Sequence, residues 1–249
     1  MNNDTSWNKV SEWYNKVVGD SGHYYHQEVI LPNVIRLIKI GEKQKLLDVG
    51  CGQGVLGKSL ANYDGYWGID LAENLIEMAK KEDKNLNHKY IIADATKDFG
   101  TMERFDWVTM ILALQNMAKP FKIIQNCKKV LNIGGKILMV LNHPAFRIPK
   151  HSDWEVKEGK QCRLVDSYMS PLEIPIDSSP FDKHNNQKTI SYHYPLSAYS
   201  EMLTDNGFVI ETMEEWISNK KSTGAKALLE DKAREEIPLF LTLVARKIC

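Results

Sequence analysis

Hydrophobic positions change their spacing along this chain, and each change predicts an element. Trp7, Val10, Tyr14 and the Val17/Val18 pair recur at three-to-four spacing across residues 5–18, the period of an amphipathic helix. A second helix is expected from Glu28 to Ile40, with Pro32 tolerated near its start and Gly41 closing it. Beyond Gly41, short apolar runs alternate with helical patterns. Strands are expected at KLLDVG (Lys45 to Gly50), YWGID (Tyr66 to Asp70), KYIIAD (Lys89 to Asp94), the start of FDWVTMILAL (Phe105 to Leu114) and KILMVL (Lys136 to Leu141). Helices fall between them, at Val55 to Asn62, at Ala72 to Lys84 with Leu75, Ile76 and Ala79 inward, and from about Lys119 to Leu131. Nearly continuous apolar strands separated by helices are the pattern of a parallel sheet covered on both faces. The right-handed crossover rule makes it a doubly wound α/β sheet, with binding groups gathered at the C-terminal ends of the strands.

The alternation stops after Leu141. Residues 143–194 hold Pro144, Pro149, Pro171, Pro175 and Pro180, with strand-like pieces only at Cys162 to Ser167 and Thr189 to His193. A connection this long inside one domain is a lid, a binding loop or an added small sheet. Regular patterning resumes with a helix near Leu196 to Asn206, a turn at Gly207, strand FVIETM, and a last strand LFLTLVARK after Pro238.

Composition narrows the classes. Lys and Arg total 32 against 32 Asp and Glu in 249 residues, a net charge of zero that argues against a general polyanion binder and hence against nucleic acid as the partner. A hydrophobic fraction of 43% with 26% charged residues excludes wholesale disorder. The longest apolar stretches, such as Ile137 to Leu141, are too short to span a bilayer, and MNNDTSWNK lacks a signal pattern, so no membrane role is expected. Cys51, Cys127, Cys162 and Cys249 lack CxxC spacing, which fits a reducing, cytoplasmic setting better than a disulfide framework. His23 and His26 form HxxH without an HExxH helix, and no metal site is expected.

The chemistry concentrates in LLDVGCGQG, residues 46–54. Gly50, Gly52 and Gly54 follow a strand directly, where the chain must turn sharply and let a ligand approach its backbone. Read from Gly52, the stretch also spells GxGxxG through Gly54 and Gly57, the dinucleotide fingerprint. Asp48 separates the two readings. A carboxylate just before the glycines repels a pyrophosphate but suits a cation such as S-adenosylmethionine, which carries an ammonium and a sulfonium and no phosphate. Asp70, ending the second strand, is placed either to take both ribose hydroxyls or to cap the helix beginning at Ala72. Asp94, ending the third, is placed to accept from an adenine amino group beside the Ala95 backbone, or is a plain turn aspartate.

LLDVGCGQG, GID at 68–70, ADA at 93–95, FDWV at 105–108 and VLNIGGKILMV at 130–140 resemble, in order and spacing, the motifs of class I S-adenosylmethionine-dependent methyltransferases, especially the small-molecule enzymes of the ubiquinone and menaquinone type. The resemblance covers roughly residues 42–142. It implies a Rossmann-like, seven-stranded, mostly parallel sheet whose antiparallel last strand is LFLTLVARK, with N-terminal helices and a lid-like insert after strand five. It divides a single domain into an N-terminal helical cover (1–41), a cofactor-binding core (42–142), a substrate-lid insert (143–194) and the C-terminal part of the sheet (195–249). It further implies that Asp48, Gly50, Cys51, Gly52 and Gly54 surround the methionine moiety, that Asp70 takes the ribose, that Leu71 packs on adenine and that Asp94 and Ala95 read its edge. Ile111 and Leu112 then offer a backbone carbonyl to the ammonium and a wall beside the methyl. One departure is ALQNM at 113–117, which lacks the histidine that many relatives carry there.

The expected reaction is methyl transfer to a small-molecule acceptor by in-line displacement, without metal. Its competitors are an NAD(P)-dependent oxidoreductase and a non-catalytic S-adenosylmethionine-binding protein. For the acceptor, Asn142 and His143 sit just past strand five. The unperturbed pKa of a histidine suits proton transfer, and its alternative is a loop histidine that holds the insert. Arg147, Trp154, Arg163 and Tyr168 grip an anionic or aromatic acceptor or else close the insert's own core, while Tyr14, Tyr24, Tyr25 and His26 cover the cofactor or dock a helix.

Overall fold

A computed structural model describes residues 23–99, 102–177 and 188–249; the helix expected over 5–18, with Tyr14, lies outside them. Seven strands form the central sheet: β1 (Leu46–Val49), β2 (Tyr66–Asp70), β3 (Lys89–Ile92), β4 (Phe105–Ile111), β5 (Leu131–Asn142), β10 (Phe208–Trp216) and β11 (Phe240–Lys247), in spatial order β10-β11-β5-β4-β1-β2-β3. The first five run parallel, and β11 inserts antiparallel between β5 and β10. The chain steps outward from β1 to β3, then returns to lay β4 on the other side of β1. That reversal opens a crevice at the C-terminal ends of β1 and β4.

Side-chain alternation splits the core between the two faces. Leu47, Val49, Val108, Met110 and Met139 pack with Ile123, Ile124 and Cys127 of α4 (Pro120–Val130) and Leu203 of α5 (Leu196–Thr204). Leu46, Trp107, Leu138 and Val140 face the other way, onto Val34 and Ile38 of α1 (Leu31–Ile38), Leu56 of α2 (Val55–Ser59) and Ile76 and Ala79 of α3 (Glu73–Glu82). Every residue of β1 is buried, Asp48 included, in keeping with its nearly continuous apolar run.

Three boundaries differ from expectation. A π-helical turn (His26–Ile30) precedes α1, and α1 ends when Lys39, not Gly41, adopts the left-handed conformation at φ 40°. Strand β5 starts at Leu131, directly off α4. A sixth helix, α6 (Ala227–Glu236), buries only Ala233 fully, so no apolar stripe announced it.

The insert is two hairpins. β6 (Ser152–Lys157) pairs with β7 (Lys160–Val165), and β8 (Leu172–Asp177) pairs with β9 (Lys188–His193), both antiparallel. The strand-like pieces expected at Cys162–Ser167 and Thr189–His193 are the second strands of these hairpins. β7 packs on α6, and β9 on the 3-10 turn Leu114–Asn116 that follows β4.

Candidate functional site

A cavity of about 420 Å³ opens in the crevice at the strand ends, within the range of small-ligand sites. Gly50, Gly52, Asp70, Leu71, Asp94, Ala95, Ile111 and Leu112 all line it. Residues from four strand ends thus converge as expected, but the glycines of the turn divide their tasks. All three are left-handed, at φ 73°, 54° and 76° for Gly50, Gly52 and Gly54. A Cβ on Gly50 would lie 2.6 Å from Ala113 Cβ and 2.8 Å from Met117 Cε, so this glycine lets β1 pass close to the turn after β4. A Cβ on Gly52 would meet nothing within 4 Å. Gly54 is different: its Cβ would strike the Tyr90 hydroxyl at 2.6 Å, and it does not line the cavity. The cofactor contact expected of Gly54 is therefore replaced by a packing role, close approach of α2 to β3.

Asp70 latches the glycine turn. Its Oδ2 accepts the Gly52 N–H at 3.0 Å and its Oδ1 the Ala72 N–H at 2.8 Å, an Asx turn that leads into α3, whose N-cap is Ala72. The expected capping by Asp70 is therefore corrected to a turn two residues before the helix cap. Each carboxylate oxygen keeps a lone pair for a further donor. Burial raises its pKa against these bonds. Asp94 Oδ1 accepts the Thr96 N–H and hydroxyl at 2.9 and 2.7 Å, while Oδ2 faces the Lys97 ammonium at 3.4 Å. Burial would raise the Asp94 pKa, but the Thr96 and Lys97 contacts hold it below the ordinary carboxylate value.

Two asparagines that sequence reasoning missed set the remaining walls. Asn126 Nδ2 donates to the Ala95 and Lys97 carbonyls at 3.0 and 2.8 Å, fixing the loop after β3. Asn116 Nδ2 donates to the Leu112 carbonyl at 3.0 Å, and Leu112 is itself left-handed at φ 51°. A left-handed leucine is costly and persists only where its surroundings enforce it. Its only sequence signal was position, directly after β4.

Asp48 and Cys51 lie behind the turn instead of on the main cavity. Together with His26, Gly52 and Ile111 they border a smaller space of about 40 Å³. Asp48 is buried and accepts from Thr109 Oγ1 at 2.7 Å and Tyr66 Oη at 2.9 Å. Burial, only partly offset by these bonds, pushes its pKa up to about 6. The Cys51 thiol is buried, and burial raises it well above the usual range, so it is no nucleophile. Among the described residues His26 Nδ1 is buried without a hydrogen-bond partner, and burial, with His23 nearby, lowers its pKa to about 4.

The acceptor residues are placed less simply. His143 is 3% exposed and lines neither cavity; its Nε2 meets Glu215 Oε1 at 2.7 Å and its Nδ1 accepts the Ala145 N–H at 3.2 Å. With both ring nitrogens engaged and burial lowering its pKa, His143 holds the turn after β5, which corrects its expected proton-transfer role. Asn142 is exposed, and its N–H donates to Gln115 Oε1 at 3.2 Å. Tyr168 is likewise committed: its hydroxyl accepts the Leu196 N–H at 3.0 Å and its carbonyl meets His193 Nε2 at 2.8 Å. Trp154 carries the Arg147 and Arg163 guanidinium groups over its ring at 5.5 and 5.1 Å. Tyr25 bonds Ser218 Oγ at 2.9 Å and packs edge-on against Phe240. Among the described residues no cluster of three or more His, Cys, Asp or Glu could hold a metal, and no helix is long and apolar enough to cross a membrane.

Residues 47–139 match the model of a methyltransferase domain family. Over 118 residues the chain is 36% identical to the ubiquinone biosynthesis O-methyltransferase of Coxiella burnetii, covering 43% of this chain and 49% of that protein. The enzyme of the same name from Glaesserella parasuis is 32% identical over 123 residues, 44% of this chain and 52% of that one. The chain thus spans about half the length of these curated relatives. A solved S-adenosylmethionine-dependent methyltransferase from Mesorhizobium loti shares the fold with a TM-score of 0.68 at 23% identity, over 86% of this chain and 96% of that one.

Proposed function

We propose, for a chain that belongs to the class I S-adenosylmethionine-dependent methyltransferases, that its activity is methyl transfer to a small-molecule acceptor by in-line displacement. The observation that carries this reading is the main cavity, where the glycine turn, Asp70, Asp94 and the Leu112 backbone converge at the strand ends. When bound, S-adenosylmethionine supplies a methyl on a sulfonium whose departure leaves a neutral thioether. The protein's share is then binding, alignment and exclusion of water, which together are worth ~7–11 kcal/mol of barrier.

Each wall has a task in this reading. The open side of Gly52 receives the methionine moiety, and the spare lone pairs of Asp70 take the ribose hydroxyls. Leu71 packs on the adenine, Asp94 Oδ2 accepts its amino group, and Ala95 lies beside its edge. Ile111 and Leu112 border the methyl side. Asp48, behind the turn, supplies negative charge toward the ammonium without touching the main cavity. Calorimetric titration with S-adenosylmethionine and with NAD(P) tests the cofactor; incubation of extracts with labelled S-adenosylmethionine and mass spectrometry then tests transfer. Binding of NAD(P) alone would sink the reading, and cofactor binding with no labelled product would reduce the chain to a binding protein.

The raised pKa of Asp48 gives the site a pH signature. An acid raised from its ordinary value to about 6 in the fold stabilises the protein at low pH, and that contribution is lost as pH climbs through about 6. A cation entering beside Gly50 favours the ionised form and releases a proton whenever Asp48 was protonated. S-adenosylmethionine affinity is therefore expected to rise from pH 5 to pH 7 and then level off, with proton release at the lower pH. Burial raises Asp70 in the same direction, so Asp48→Asn is the control that isolates Asp48: its affinity profile should be flatter. Calorimetry in two buffers of different ionisation enthalpy reads both quantities, and a wild-type profile as flat as that of Asp48→Asn would refute the coupling.

A further inference from the structure

Resting on the methyl-transfer reading, we propose that the acceptor carries an anionic group, a carboxylate or a phosphate, and that Arg147 receives it. The turn after β5 presents this residue: the N–H groups of Phe146 and Arg147 both donate to the His143 carbonyl, at 3.1 and 2.8 Å. The guanidinium then lies over Trp154, with Arg163 over the same ring. Arg163 is tied down by neutral acceptors, the Phe146 carbonyl and Ser152 Oγ, each at 2.6 Å. Arg234 of α6 is paired with Asp231 at 3.0 Å and Glu230 at 3.5 Å.

Among the described residues Arg147 has no such company. Its Nε is buried and makes no hydrogen bond there. The groups acting most on it are Arg163, Tyr25 and Arg234. His143 is also within electrostatic reach, but its Nε2 is engaged with Glu215, and Asp153 acts on Arg163. Lys220, over the Tyr25 ring at 4.9 Å, adds positive charge to the same surface. Burial, reinforced by Arg163, lowers the Arg147 pKa to about 10. A half-buried cation crowded by its own sign is costly unless an anion joins it, and the planar fork of a guanidinium matches a carboxylate or phosphate. An arginine serving only to staple the insert to the body is expected to be paired, as Arg234 is.

The position suits one end of an acceptor. Tyr25 lies within electrostatic reach of Arg147, and its neighbour His26 borders the small space shared with Gly52 and Ile111. Arg147 itself lines neither cavity, so in this proposal its anion anchors the far end of an acceptor whose other end enters the main cavity from the side of the small space. The balanced total charge of the chain shows that this positive surface is local and is not a by-product of a basic composition.

Nitrogen-15 spectra of the arginine Nε–H groups test the site with inorganic phosphate, benzoate and neutral benzamide as probes. Benzoate or phosphate is expected to shift one signal, the one missing in Arg147→Lys, and benzamide is not; the tighter of the two anions identifies the group. Arg147→Gln should weaken the anion by at least about tenfold while S-adenosylmethionine affinity stays within about twofold. Arg147→Lys, which keeps the charge and loses the fork, should fall between. Equal binding of benzoate and benzamide, or an undiminished anion affinity in folded Arg147→Gln, overturns the proposal. Titration of S-adenosylmethionine in the same samples keeps the two readings apart: anion binding without cofactor binding removes the methyltransferase reading and leaves the anion site standing.

Discussion

Gly52→Val is expected to abolish S-adenosylmethionine binding in a protein that still folds. Two independent effects add at this position. The residue sits at φ 54°, where a β-branched side chain is strained, and a cost of about 1–2 kcal/mol falls on the turn. The new side chain would also project where a Cβ meets nothing within 4 Å, beside the cavity proposed to hold the cofactor. Strain alone would lower stability and leave binding measurable; occupation of the cavity removes binding outright. Gly52→Ala separates them, since it carries much of the strain with far less bulk, and it should retain weak affinity. Gly50→Ala should behave in the opposite way, because its Cβ runs into Ala113 and Met117 and the cost falls on the fold. Far-UV circular dichroism with calorimetry reads both outcomes, and unchanged affinity in folded Gly52→Val would remove the glycine turn from the cofactor site.

How much of this was legible in the sequence depends on how local the determining physics is. The parallel core was legible because a strand buried on both faces is largely apolar, and β1 and β4 are so apart from Asp48, Asp106 and Thr109. The glycine turn and Asp70 were legible because backbone conformation and strand ends are local properties. The insert was only half legible: β7 and β9 were expected as strand-like pieces, but β6 is largely exposed and charged, and Pro175 interrupts the alternation of Leu172, Ile174 and Ile176 in β8. The same limit applies to His143. Its place after β5 was readable, but Glu215, which occupies its Nε2, comes from a strand 72 residues further along. Trp154 fails in the same way, since the two arginines over its ring are brought there by the turn after β5 and by the hairpin. Asn116 and Asn126 carried no motif, and their contribution rests on backbone carbonyls that only the folded loops present.

Asp70→Ala is expected to weaken S-adenosylmethionine binding by about 2–3 kcal/mol, the scale of lost charge-assisted hydrogen bonds. Both parts of the loss follow from the latch geometry. The ribose hydroxyls lose their acceptor, and the Gly52 N–H, bonded at 3.0 Å, is released, so the turn is no longer held in the conformation that opens the cavity. Asp70→Asn keeps the shape and one oxygen. If that oxygen stays on the Ala72 N–H, the amide nitrogen faces the Gly52 N–H, donor against donor, and the latch is half broken. The expected order of affinity is therefore wild type, then Asn, then Ala, with the melting temperature following the same order but over a smaller range. The two observables separate the ribose role from the turn-fastening one. A residue that only fastens the turn to α3 would lower the melting temperature in both variants and leave the affinity of the remaining folded protein intact; that result would return Asp70 to a structural part.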